Sequence, residues 1–174
     1  MIEKYQKTVG IVLIIMSFSW LFVLPFIPLK SNHTITANLL TQSHNVLVFF
    51  GYPGCRDICS QVLQRLQKIY ESCANPQQLA VVFVNLWEEM STHETQQYAQ
   101  FFHKDFIGLA FSNELNQSFG AWKIPQADQQ LIHSDYVYLL ENKQYNQWIM
   151  KELFKSTFSE EQLLSQLQCI NRRL

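Results

Sequence analysis

The chain has 174 residues, nearly half of them apolar, and a formal net charge of -1, so it offers no basic field for a phosphate backbone and speaks against nucleic acid as a partner. The first thirty residues differ sharply from the rest, and the roughly 140 that follow suit one domain and are too few to need two. Four cysteines are too few for a disulfide scaffold at this size, and only Cys55 and Cys59 are close enough in sequence to suggest a shared task.

Residues 1–30 read as an N-terminal membrane anchor. Val9 to Leu29 carries no charge and as a helix would cover about 30 Å of hydrocarbon. The apolar run leads into Pro25, Pro28 and Lys30 rather than into small residues at a cleavage site, so an uncleaved transmembrane helix is expected. Lys4 and Lys7 precede the span and only Lys30 follows it directly. That bias keeps the N-terminus in the cytoplasm and places the later residues in the periplasm, with the chain single-pass in the inner (cytoplasmic) membrane. The absence of an Arg- and Ser-rich transit segment agrees with a bacterial protein.

Residues 31–45 are polar and without a period, and read as a tether. Residues 46–174 read as the folded domain. Val46–Phe50 is an apolar run too short for a helix and rich in β-formers, the pattern of a strand covered on both faces. It stops at Gly51-Tyr52-Pro53-Gly54, a tight turn with Cys55 at its exit. Beyond Cys59 the residues Val62, Leu63, Leu66, Ile69, Tyr70 and Cys73 fall on one helical stripe. Leu79–Val84 predicts a second buried strand. Ser91-Thr92-His93-Glu94 is a capping-box pattern opening a helix with Tyr98, Phe101 and Phe102 as its apolar face.

Further strands are expected at Phe106–Phe111, Tyr136–Leu140 and Gln147–Met150, and a short helix at Asn113–Phe119. A last helix, capped through Ser159 and Gln162, would bury Leu163, Leu164, Leu167 and Ile170. Strands alternating with helices predict an α/β sheet with helices on both faces.

Residues four apart on a helix share a face, so the sulfurs of Cys55 and Cys59 converge if the first helical turn includes both. Convergent thiols can close a disulfide or bind a soft metal as thiolates. A helix N-terminus and Arg56 both favour the thiolate. The bland alternative is a pair of buried cysteines or a static disulfide, and spacing alone does not separate copper from redox work.

The run Phe49-Phe50-Gly51-Tyr52-Pro53-Gly54-Cys55-Arg56-Asp57-Ile58-Cys59 resembles the SCO/SenC pattern, in which a strand ends in Phe-Gly-Tyr and is followed by Cys-Pro-Asp-x-Cys-Pro. Leu131-Ile132-His133-Ser134-Asp135-Tyr136-Val137-Tyr138-Leu139-Leu140 is similar to the same family's Asp-His-Ser stretch leading into its Tyr-Leu-Ile-Asp strand. Both motifs and the order of elements match over most of residues 46 to 170. The resemblance implies a thioredoxin-like α/β fold and a copper site formed by Cys55, Cys59 and His133. By itself a single histidine is most simply a surface or satisfied core residue. Two thiolates and an imidazole suit Cu(I) and tolerate Cu(II), and zinc could use the same ligands. Arg56 and Ser60 replace the two prolines usual around the cysteines, and Asn85-Leu86-Trp87-Glu88-Glu89 stands in place of an Asp-Pro acidic segment. These departures bear on copper affinity and partner choice more than on fold.

The remaining candidates have simpler readings. Cys73 lies about 21 Å along the helix from Cys59, too far to share its site, and reads as core. Cys169 reads as packing, with a bridge to Cys73 as the lesser alternative. His33, His44, His93 and His103 read as solvated, and Trp87, Trp122 and Trp148 as core.

The resemblance implies a metallochaperone that delivers copper to the dinuclear copper centre of cytochrome c oxidase subunit II, with that subunit or its assembly factors as partner. The alternative is a thiol-disulfide oxidoreductase using Cys55 and Cys59 on the cysteines of the recipient, a reading that Arg56 favours because a cation lowers a thiol pKa and repels Cu(I). A scaffold with a decayed site is disfavoured by the retained Cys, Cys and His.

Overall fold

Five consecutive apolar residues in a strand point alternately to opposite faces, so Val46–Phe50 requires cover on both sides of its sheet. The computed structural model, which describes residues 34–55, 58–73, 78–125 and 131–167, provides that cover. Its strands are β1 (Thr34–Thr36), β2 (Asn45–Gly51), β3 (Leu79–Asn85), β4 (Ile107–Leu109), β5 (Lys123–Pro125), β6 (Leu131–His133), β7 (Tyr136–Gln144) and β8 (Gln147–Lys155). The helices are α1 (Cys59–Ser72), α2 (Thr92–Phe102), α3 (Asn113–Phe119) and α4 (Glu160–Gln166). The expected membrane span lies outside the described residues, as do His33, Arg56, Asp57, Cys169 and Ile170. Among the described residues no helix is long and apolar enough to cross a membrane.

Six strands form one mixed sheet in the order β1-β8-β7-β2-β3-β4, and β5 and β6 form a separate two-stranded sheet. The run β2, β3, β4 is parallel, while β7 joins β2 antiparallel and continues through β8 to β1. On one face Leu47, Phe49, Val81, Phe83, Val137 and Leu139 pack under α1 and α4, through Val62, Leu63, Leu66, Ile69 and Leu163. On the other, Val48, Phe50, Val82, Val84, Tyr138 and Leu140 are covered by Leu115 and Phe119 of α3. Helices therefore lie on both faces, as the alternation of elements predicts.

Several expectations are corrected. The span read as a tether contains β1, and Ile35, Ala37 and Leu39 are buried while the residues between them are exposed. This alternation is the pattern of a half-buried strand, here paired to β8 with Ile35 opposite Trp148. Trp148 is fully buried and its indole N–H donates to the Ala37 carbonyl at 2.8 Å. Neighbouring helical residues point about 100° apart, so Phe101 and Phe102 cannot both face the core, and Phe101 is 84% exposed. The capping box at Ser91 and Glu94 forms as expected, whereas Ser159 makes no side-chain cap.

Of the tryptophans read as core, Trp148 is buried but Trp122 is 47% exposed. His103 is not solvated; its ring packs on Tyr70 at 4.7 Å and on Phe106 at 5.5 Å. Cys73 is buried, as its reading as core expects, and it is also disulfide-bonded, the lesser reading given for it.

Candidate metal centre

The site forms where β2 gives way to α1. Gly51 ends the strand, and its carbonyl accepts the Leu86 amide at 2.8 Å, which holds the segments after β2 and β3 together. Pro53 and Gly54 then turn the chain, with Gly54 at φ +93°, a value that glycine adopts without strain. The Cys55 amide closes the turn on the Tyr52 carbonyl at 3.3 Å. Cys55 therefore lies in the loop and α1 begins at Cys59, so the two sulfurs do not share a helical turn as the spacing suggested. They converge because the turn folds Cys55 back over the start of the helix. Cys59 is fully buried and Cys55 half-buried.

His133 arrives from the separate hairpin of β5 and β6, where it pairs with Lys123. Its Nδ1 stands 2.8 Å from the Ser134 carbonyl, and since a carbonyl only accepts, Nδ1 must carry a proton. The ring is thereby oriented with Nε2 toward the sulfurs, 3.7 Å from Cys59 Sγ and 4.0 Å from Cys55 Sγ. All three donor atoms lie within 4.8 Å of one another. Phe49 and Tyr52 stand edge-on to the imidazole at 6.5 and 5.8 Å. The hairpin is tied to the body by the Tyr52 hydroxyl, which accepts the Leu131 amide at 3.0 Å and donates to the Leu131 carbonyl at 3.4 Å. Lys123 adds a second tie, donating at 2.8 Å to both the Leu86 carbonyl and the Glu88 carboxylate.

The two thiols are electrostatically unequal. A hydrogen bond from Cys59, with a further one from His133, outweighs burial and lowers the Cys55 pKa to about 3. The same Cys59 bond to Cys55, together with deep burial, pushes the Cys59 thiol up. Of the two sulfurs, Cys55 is the one that favours the thiolate and Cys59 the one that favours the proton. Burial alone would lower the His133 pKa, but bonding to Cys55 and to the Ser134 carbonyl and the charge on Cys55 raise it overall. Nε2 is nearer Cys59, yet the bond and charge that raise His133 are those of Cys55. Burial above all pushes Tyr98, which packs on Phe83 beside the site, up to about 12.

The structure brings Cys55, Cys59 and His133 together from positions up to 78 residues apart. His44 and His93 are exposed and not part of this group, and His103 packs on Tyr70 and Phe106. Sequence reasoning did not find the parts that hold the ligands: the Ser134 carbonyl, the Tyr52 hydroxyl and the Lys123 ammonium. Tyr52 lies within the Phe-Gly-Tyr motif, so its residue type was visible although its role was not. The hairpin strands, three residues each, are too short to show a period.

The donor set fits a small, soft ion. Ligands bonded at about 2.0 to 2.3 Å and opened to trigonal angles stand roughly 3.5 to 4 Å apart, close to the separations between Nε2 and the two sulfurs. Sulfur selects Cu(I) and imidazole accommodates Cu(II) or zinc. Fold and site together define a thioredoxin-like domain with a Cys, Cys and His group at the end of its central strand. The family model described as SCO1/SenC matches residues 26–171, and the chain belongs to the SCO1/SenC family.

Solved structures agree on the fold. The apo Sco1 protein of Thermus thermophilus is similar at a TM-score of 0.62 and 21% identity, over 81% of this chain and 91% of that one. Arabidopsis thaliana ScoI with copper bound gives 0.63 and 19%, over 74% and 83%. Yeast Sco1 with copper bound gives 0.55 and 16%, over 75% and 79%. No curated protein matches the sequence.

Proposed function

We propose that this protein is a membrane-anchored copper metallochaperone that binds copper through Cys55, Cys59 and His133 and delivers it to the dinuclear copper centre of cytochrome c oxidase subunit II, directly or with its assembly factors. The reading is carried by one observation: two sulfur donors and one correctly oriented imidazole nitrogen lie within 4.8 Å of one another. Copper is the cargo here. Half-exposed Cys55 gives an incoming thiolate access to the ion, so transfer proceeds by ligand exchange while buried Cys59 and His133 retain the ion until the recipient's ligands take over. Copper-bound Sco relatives of the same fold support the choice of metal. Residues 1–30 would hold the domain at the inner membrane, with residues 46–174 in the periplasm, the compartment in which a disulfide at Cys73 is stable.

The unequal thiols favour a second reading, a thiol-disulfide oxidoreductase. The Cys55 thiolate would attack a recipient disulfide to give a mixed disulfide. Cys59, losing its proton, would then attack Cys55 Sγ and release the recipient as a dithiol, two electrons having passed from this chain.

The test uses the reduced full-length chain in detergent, loaded with copper and mixed with the metal-free, reduced soluble domain of cytochrome c oxidase subunit II. The chaperone reading expects two copper ions per recipient domain, measured after the two proteins are separated, with the unaltered protein and none with His133→Ala. If His133→Ala matches the unaltered protein, and both reduce the oxidised recipient at equal rates, the oxidoreductase reading holds instead.

A further inference from the structure

We propose that Tyr52 is the positioning residue that couples the cysteine loop to the histidine strand and so sets the affinity of the site for copper; the inference rests on the copper reading of that site. His133 sits on a two-stranded hairpin outside the six-stranded sheet. Its alignment with the sulfurs therefore depends on whatever joins that hairpin to the cysteine segment. Tyr52 touches both sides. Its backbone carbonyl takes the Cys55 amide at 3.3 Å, while its hydroxyl accepts from and donates to the backbone of Leu131, two residues before His133. Its ring meets the imidazole edge-on, with centroids 5.8 Å apart and planes at 82°.

The tyrosine is itself braced from behind. Trp87 packs edge-on against its ring at 5.8 Å. Trp87 is fixed in turn by fully buried Asn85, whose side-chain amide donates to the Trp87 carbonyl at 2.8 Å and whose oxygen accepts the Trp87 amide at 3.0 Å. A continuous set of contacts thus runs from the end of β3 through Trp87 and Tyr52 to the ligand strand. This gives a task to the Asn85-Leu86-Trp87 segment, which departs from the acidic sequence usual at that place. Held this way, His133 does not need to be ordered when the ion arrives, and the ordering cost that would weaken binding is already met in the fold.

Tyr52→Phe keeps the ring and removes only the hydroxyl. In the reduced full-length protein, competition with a copper chelator is expected to show the dissociation constant rising by about 10- to 100-fold, the usual effect of removing a group that orients a metal ligand. If Tyr52 acts through His133, adding the same change to His133→Ala raises the constant by less than about twofold. In the metal-free protein the Leu131 amide, bonded to the hydroxyl, should exchange its hydrogen much faster in Tyr52→Phe while amides of β2 and β3 keep their rates. Unchanged affinity, an equal loss in the His133→Ala background, or an unchanged Leu131 exchange rate would each overturn the inference. Failure of the unaltered chain to bind copper would instead overturn the chaperone reading, and the Leu131 exchange rate would still decide whether Tyr52 holds the strand.

Discussion

Gly51 stands so close to Cys59 that a β-carbon on it would lie 2.7 Å from Sγ and 3.2 Å from the rings of Phe49 and Phe83. Every heavier residue at this position must displace the buried sulfur or both aromatic rings. Gly51→Ala is therefore expected to cost about 1 to 3 kcal/mol of stability, read from the urea midpoint, and to weaken copper binding along with it. An alanine variant with unaltered midpoint and affinity would show that the end of β2 is looser than the contacts describe.

The unequal thiols give a pH profile. With its pKa lowered to about 3 by the bond from Cys59, Cys55 is already a thiolate at mild acidity, and raising the pH adds no more of the reactive form. Its alkylation rate in the reduced, metal-free protein should therefore stay flat from about pH 5 to about pH 8, where an ordinary thiol gains about tenfold per unit. Cys59, buried and with its thiol pushed up, should remain unlabelled throughout. A Cys55 rate climbing tenfold per unit would mean that the hydrogen bond is not formed.

Trp148 ties the first strand to the sheet through the Ala37 carbonyl at 2.8 Å. Trp148→Phe leaves an aromatic ring in the site but orphans that carbonyl, a loss of about 1 to 3 kcal/mol for a buried acceptor. Hydrogen exchange should rise in residues 34–39 and remain slow in β2 and β3. Uniform loosening of the whole sheet would instead show that β1 is integral to the core rather than docked on it.

How far the sequence reveals this molecule depends on the range over which each signal acts. Val46–Phe50 and Leu79–Val84 announce themselves because continuous apolar runs leave few alternatives to buried strands, and α1 follows from the stripe beyond Cys59. β1 was legible in principle, since Ile35, Ala37 and Leu39 alternate with polar residues, but so short a pattern among Ser, Asn and Thr reads as loop. The three site residues came from motif resemblance. What holds them did not, because the Ser134 carbonyl is a backbone group with no residue signature and the Tyr52 to Leu131 bonds span 79 positions. Convergence of Cys55 with Cys59 was expected for a different reason, a shared helical turn, where the structure uses the Pro53-Gly54 bend. The disulfide at Cys73 stood only as the lesser reading, because no local pattern marks a bridge between distant cysteines.

The central claim, that two sulfurs and one imidazole nitrogen hold a single copper ion, is tested most directly by X-ray absorption on the copper-loaded, reduced full-length protein. The fine structure should require two sulfur scatterers and one imidazole nitrogen, with the nitrogen contribution lost in His133→Ala. A spectrum fitted by sulfur alone and unchanged in that variant would contradict the account.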